Sequence, residues 1–293
     1  MRLAEIERHV SSIEELQRIV GAMRAIASMR VQEALRALAS VREYGSAMAA
    51  AVREALAIAA EERIAPGEAR PPGMAVGTAR RGRRAIVVFT SEHGFVGGFN
   101  ERLIEAAVVK PEVGDTLLIV GSRGAALASD RGLAAASTHA MATRLASIPE
   151  VVQRVQDGLY PRIASGEIMR AEVVFGSHQG SGATVIERRE LFPLDLSVRR
   201  ERSEPVPLHD LPAAELLERL TAEYILSQLT EAATESLAAE NAARFAAMEA
   251  AHDNVGKKLQ VLRLDASRAR QEEVTTELLD LVIGQQAVDG SLF

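Results

Sequence analysis

All ten prolines of this 293-residue chain fall between Pro66 and Pro212. Proline fixes φ, removes a backbone donor and clashes with the preceding turn, so no residue more strongly forbids an unbroken helix. Residues 1–65 and 213–293 contain none, and of 21 glycines only Gly21, Gly45, Gly256, Gly284 and Gly290 lie there. The chain therefore reads as helical arm, mixed α/β region, helical arm.

The apolar spacing of the arms agrees. Ile6, Val10, Ile13, Leu16, Val20, Met23 and Ile26 follow one another in steps of three and four, as one helix face requires. Phe245, Met248, His252, Val255, Leu259, Leu262, Ala266 and Ala269 alternate three and four strictly, a heptad seam. The seam resumes out of register at Val274, Leu278, Leu281, Gln285 and Val288, a slip that alters supercoil without ending the helix. Sixty helical residues would extend ~90 Å, too long for burial in one compact domain. The arms must pair with each other, predicted as an antiparallel coiled coil, or with a partner.

Between them, strands are predicted at Ala85–Thr90, Thr116–Gly121, Ala171–Ser177 and Ala183–Arg188, with helices at Glu101–Val109 and Ile148–Ile163. Such alternation implies a small parallel or mixed sheet. Pro/Gly-rich stretches at Ala65–Arg81 and Val198–Pro212 read as linkers. The expected fold class is α/β, a long antiparallel coiled coil plus a small central domain. Its divisions are an amino-terminal helix over 1–64, an α/β domain over 82–200 and a carboxy-terminal helix over 208–288.

Composition excludes several functions. A net charge of −6 argues against a nucleic-acid or anionic-membrane surface. With no cysteine there is no disulfide, thiolate metal site or thiol nucleophile. The opening MRLAEIERHV lacks the apolar segment of a signal peptide, and no run approaches the ~20 apolar residues of a membrane span. A soluble cytoplasmic protein is expected.

Chemistry is sparse. In AIVVFTSEHGFVGGFN (Ala85–Asn100) a strand breaks into a glycine-rich turn before a helix, a layout that many phosphate sites share. Its glycines, Gly94, Gly97 and Gly98, fit neither G-x-x-x-x-G-K-[ST] nor G-x-G-x-x-G, so a tight turn is the favoured reading. Six scattered histidines offer no metal-ligand spacing, and no metal or cofactor is expected. Gly176-Ser177-His178 and Gly180-Ser181-Gly182 read as a polar turn rather than a catalytic serine loop. Glu92 and His93, adjacent in sequence, are poorly placed to act together as acid and base. No active site is expected.

Three blocks, in order, resemble the gamma subunits of F-type ATP synthases. NAARFAAMEAAHDNVGKKLQVLRLDASRARQEEVTTELLDLVIGQQAV (Asn241–Val288) carries the family's AAR-x-x-AM, Asp253-Asn254, Arg268-Ala269-Arg270-Gln271 and T-x-E-L segments. Thr90–Asn100 matches its T-D-R-G-L-x-G-G-x-N loop, and the amino arm keeps the Ala22-Met23 pair. The resemblance implies a rotor shaft: paired helices inside a 3:3 ring of alpha and beta subunits, with the α/β domain meeting the epsilon subunit and the membrane c-ring. It implies a non-catalytic subunit of an ion-transporting ATP synthase, peripheral on the cytoplasmic face of a bacterial inner membrane, with nucleotide bound by partner subunits. Carried over by position, the beta-subunit contacts are Arg270, Gln271 and Thr275, with Met23 and Arg30 expected opposite. Glu92-His93 and Phe95 replace the family's Asp-Arg and Leu, the basic run of the amino arm is eroded at Gly21 and Gln32-Glu33, and DGSLF (Asp289–Phe293) extends the end. These departures suggest a divergent paralogue from an atypical ATPase operon. The alternative readings are a static coiled-coil adaptor and a nucleotide-binding α/β enzyme.

Overall fold

The structure, a computed structural model, describes residues 3–61, 83–109, 112, 114–179, 184–194 and 209–289, with the backbone alone at 60, 61 and 280–289. Two helices dominate: α1, Leu3–Glu61, and α5, Ala213–Asp289. Between them lie β1 (Arg83–Phe89), α2 (Phe99–Ala107), β2 (Thr116–Val120), α3 (Ser122–Asp130), β3 (Ser137–His139), α4 (Ile148–Ala164), β4 (Ile168–His178) and β5 (Thr184–Phe192). The chain divides into two compact units, one of residues 1–26 with 245–293, the other of 27–244. The predicted linker at 65–81 and most of that at 198–212 lie outside the described residues.

The first unit is the antiparallel helix pair that the heptads predict. Arg24 pairs with Glu249 at 3.1 Å, Arg263 with Glu14 at 2.6 Å and Arg270 with Glu7 at 2.6 Å, an order that only opposite chain directions allow. Met248 and Leu259 are buried on the α5 seam, while Phe245 at its start is exposed. On α1 the seam differs from the expected one. Ile6 and Val20 are buried and Val10, Ile13, Gln17 and Arg24 half-buried, whereas Leu16 and Ile26 are 43% and 47% exposed. The buried register keeps a strict 3-4 alternation, so Gln17 replaces Leu16 in it. The expected face contained too many steps of three and drifts off a seam of period 3.5. The resumed seam at Val274 and Leu278 is likewise exposed, because the register that sets Glu7 against Arg270 leaves almost no α1 beyond it. Leu281, Gln285 and Val288 have no described side chains.

This register is directly testable in a cysteine-free chain. A Cβ on Gly256 would lie 3.6 Å from Gln17 Nε2. Gln17→Cys with Gly256→Cys is expected to be joined within one chain by a short bismaleimide, whereas Leu16→Cys with Gly256→Cys is not, as mass spectrometry after proteolysis would show.

In the second unit five strands form one mixed sheet in the order β3-β2-β1-β4-β5. β1 runs parallel to β2 and β4, β2 runs parallel to β3, and β5 closes the edge antiparallel to β4. Every residue of β1 after Arg83 is buried, since both sheet faces are covered. Ala85, Val87, Phe89, Val173 and Phe175 pack with Val152, Val155 and Leu159 of α4 and with Ile225, Leu229, Ala233 and Leu237 of α5. Ile86, Val88 and Val174 on the other face meet Phe99, Leu103 and Ala107 of α2. The later part of α1 seats Val52 and Ala55 against Leu217, and Ile58 and Ala59 against Ala213. Arg42 reaches Glu235 at 2.7 Å and Glu231 at 3.4 Å, tying α1 to α5. The four strands expected from the sequence are present, and α3 and β3 are additions. β3 is three residues of Ser-Thr-His, too short and polar to show a period.

Candidate functional site

The loop between β1 and α2 is where the sequence raised the question of nucleotide, and its polar groups are taken up by the protein itself. The Thr90 amide donates to Val120 O at 2.7 Å and its hydroxyl to the same oxygen at 2.9 Å. The Ser91 amide donates to Asn100 Oδ1 at 2.9 Å, and Asn100 Nδ2 donates back to Ser91 Oγ at 2.8 Å, so the asparagine staples the loop's two ends. Gly97 has φ +55, the left-handed region that glycine enters without strain. Phe95, with φ +63 and 67% exposed, is the sole non-glycine with positive φ among the described residues.

Glu92 holds the loop from one side. Its carboxylate accepts from Ser122 N at 3.1 Å, Ser122 Oγ at 2.6 Å and Met141 N at 2.8 Å. Burial opposes its ionisation, but these donors outweigh it and lower its pKa, with His93 adding a small contribution. So committed, the carboxylate serves as a cap on α3 rather than as an acid–base partner of His93.

Arg244 of α5 holds the loop from the other side. Its guanidinium donates to His93 O at 3.3 Å, to Gly94 O at 3.4 Å, to Asn241 Oδ1 at 3.2 Å and to Glu240 Oε1 at 2.7 Å. Glu240 and Arg244 are 4% and 7% exposed. Sequence reasoning missed this cluster. The signal available was a run of acid, amide and base (Glu240, Asn241, Arg244) directly after the buried Leu237, Ala238 and Ala239, in an otherwise alanine-rich stretch.

The five predicted contact residues do not form one cluster. Arg270, Gln271 and Thr275 lie on successive turns of α5, with the Thr275 hydroxyl donating to Gln271 O at 2.7 Å, and all three are exposed. Arg270 faces Glu7, not Met23. Met23 is half-buried beside Arg24, whose partner Glu249 precedes Arg270 by 21 residues, ~30 Å along a helix. Arg30 belongs to the other unit, where its charge acts on Glu240. The expectation that Met23 and Arg30 stand opposite Arg270 is therefore corrected: the antiparallel register sets the amino-terminal turn there. An open groove of about 340 Å³ runs beside it, lined by Glu7, Val10, Arg263, Ala266, Ser267 and Arg270. Among the described residues no group of His, Asp and Glu is arranged to hold a metal ion, and no helix is long and apolar enough to cross a membrane.

In chain order, two long helices flank a small mixed α/β sheet, the class of protein that the fold defines. The sequence matches the family profile described as ATP synthase over residues 2–288, and the chain belongs to that family. Its curated relatives include the ATP synthase gamma chain of Phenylobacterium zucineum, 28% identical with 98% of this chain and 99% of that one covered, and that of Thermobifida fusca, 28% identical over 98% and 96%. Among solved structures, the fold is shared with a chain of the Euglena gracilis mitochondrial ATP synthase OSCP/F1/c-ring assembly (TM-score 0.65, 14% identity, 99% of this chain and 96% of that one). A chain of the Tetrahymena thermophila central stalk/c-ring structure also shares it (TM-score 0.52, 17% identity, 80% and 99%).

Proposed function

We propose that this chain is the central rotor shaft, the gamma subunit, of an F-type ATP synthase, coupling ion flow through a membrane c-ring to ATP synthesis or hydrolysis in a ring of alpha and beta subunits. The observation that carries the reading is the family match along nearly the whole chain, over a fold whose two longest elements form one antiparallel pair. A shaft must resist twisting, and continuous helices of 59 and 77 residues suit that because, apart from their end turns, their backbone groups are bonded within the element. The subunit is non-catalytic, nucleotide being handled by its alpha and beta partners. The α/β domain meets the epsilon subunit and the c-ring, peripheral on the cytoplasmic face of a bacterial inner membrane.

Met23, Arg30, Arg270, Gln271 and Thr275 are the contacts to the beta subunits in this reading. What supports the last three is that they are exposed on adjacent turns, Arg270 still pairing with Glu7 across the helix pair. Co-expression with the alpha and beta subunits of the same source is expected to yield a complex that hydrolyses ATP. Arg270→Ala with Gln271→Ala is expected to leave assembly intact, because exposed ion pairs such as Arg270–Glu7 contribute ~0–1 kcal/mol. Coupled ion pumping should fall about tenfold or more, the effect of losing a charge-assisted contact of about 1.5–3 kcal/mol. A complex that binds this chain without any change in turnover would instead indicate a static adaptor. Saturable ATP binding by the chain alone would indicate a nucleotide enzyme.

A further inference from the structure

The Glu240–Arg244 cluster has a role that the shaft reading does not require. Arg244 divides its donors between a carboxylate on its own helix at 2.7 Å and two loop carbonyls at 3.3–3.4 Å. The last two are longer than the usual ~2.9 Å, so the guanidinium is drawn toward Glu240 and away from the loop. Four further charged or titratable groups face or border the pair. They are Arg30 from α1, Glu92 and His93 from the loop, and Arg123 of α3, which borders Gly94. We propose that Arg244 is a positioning residue for the 90–100 loop and that Glu240 is its proton-responsive counter-charge, so that proton uptake by Glu240 shifts Arg244 onto the carbonyls of His93 and Gly94 and tightens the grip of α5 on the loop.

The geometry makes the exchange feasible. A proton on Glu240 removes the charge that holds Arg244 back at 2.7 Å, while the carbonyls of His93 and Gly94 stay within its reach at 3.3–3.4 Å. The loop carbonyls are then its strongest remaining acceptors beside Asn241. Burial raises the Glu240 pKa, Arg244 and Arg30 oppose that rise and Glu92 adds to it, leaving it at about 7. The sign follows from proton linkage. The folded state holds a proton that the unfolded chain, at its ordinary 4.5, has released, so stability falls as pH rises from about 4.5 to about 7 and levels above it.

The chain has no tryptophan, so Phe95→Trp places a single reporter at the loop tip of the full-length protein. Its fluorescence anisotropy is expected to rise on acidification with a midpoint at about pH 7. Glu240→Gln should abolish the transition, and His93→Gln should leave it in place. A transition that survives Glu240→Gln, or disappears with His93→Gln, overturns the proposal. Should a variant fail to fold, ¹³C NMR of the wild-type chain decides. The Gly94 carbonyl must follow the same titration curve as the Glu240 carboxyl, and a Glu240 midpoint in the ordinary range of about 4–4.5, or an unresponsive Gly94, refutes it.

Discussion

Gly121→Ala is expected to remove roughly 2–6 kcal/mol of stability, from backbone strain of ~1–3 kcal/mol and overpacking of ~1–3 kcal/mol acting together. Gly121 joins β2 to α3 with φ +121 and ψ 121, a conformation that an L side chain rarely adopts. A Cβ there would also stand 2.4 Å from the Thr90 hydroxyl and 2.5 Å from the Thr90 carbonyl oxygen. Neither can withdraw, because Thr90 is bonded to Val120 through both its amide and its hydroxyl. Against a typical total of 5–15 kcal/mol the loss is large, and urea titration should show a lower midpoint at unchanged slope. Gly158→Ala is the control. It lies inside α4 with open space at its Cβ position, and is expected to stabilise by about 0.5–1 kcal/mol. Equal effects at the two positions would refute the account of Gly121.

Gly176→Ala strikes at the hold of the sheet on the shaft helix. A Cβ on this residue of β4 would sit 2.6 Å from the Phe99 ring and 2.9 Å from the Ala239 methyl. Phe99 is 1% exposed and Ala239 fully buried, so the strain must be relieved by moving α5 off β4 or α2 off the sheet. A cost of about 2–3 kcal/mol is expected, at the upper end for one added methyl in a full core. Phe99→Leu shortens the nearer obstacle and should return part of it, giving a coupling energy of about 0.5–1 kcal/mol in a double-mutant cycle. Strict additivity would mean that Gly176 is not what sets the approach. In the assembled complex the same substitution should loosen the domain on its shaft and lower coupled turnover more than uncoupled hydrolysis.

The arms, the four longer strands and the two amphipathic helices were legible because each carries its period in its own residues. β1 reads as a strand from Ala-Ile-Val-Val-Phe alone, and the α5 seam from Met248 to Ala269 reads as a heptad from its 3-4 spacing. The two-sided apolarity of α1 was not resolvable locally. Leu16, Ile19 and Ile26 are as apolar as Ile6 and Val20, and only the partner helix selects which set is covered.

The contact residues show the same division. Sequence could name Arg270 and Gln271 through a resemblance, but not which α1 residue faces them, since that depends on a register fixed by Arg24–Glu249, Gln17–Gly256 and Glu7–Arg270 together. The glycine loop was correctly denied a phosphate motif from spacing, yet what its backbone does instead was invisible. Its fasteners, Glu92 on Ser122 and Met141 and Arg244 on His93 and Gly94, join positions separated by 30 to 151 residues. By itself the sequence determined the helical arms, the alternating middle and the family, because proline, periodicity and motif spacing are properties of adjacent residues. Register, the Arg244 clasp and the close approaches at Gly121 and Gly176 were decided by tertiary structure alone, because each is a distance between groups that the chain brings together only when folded.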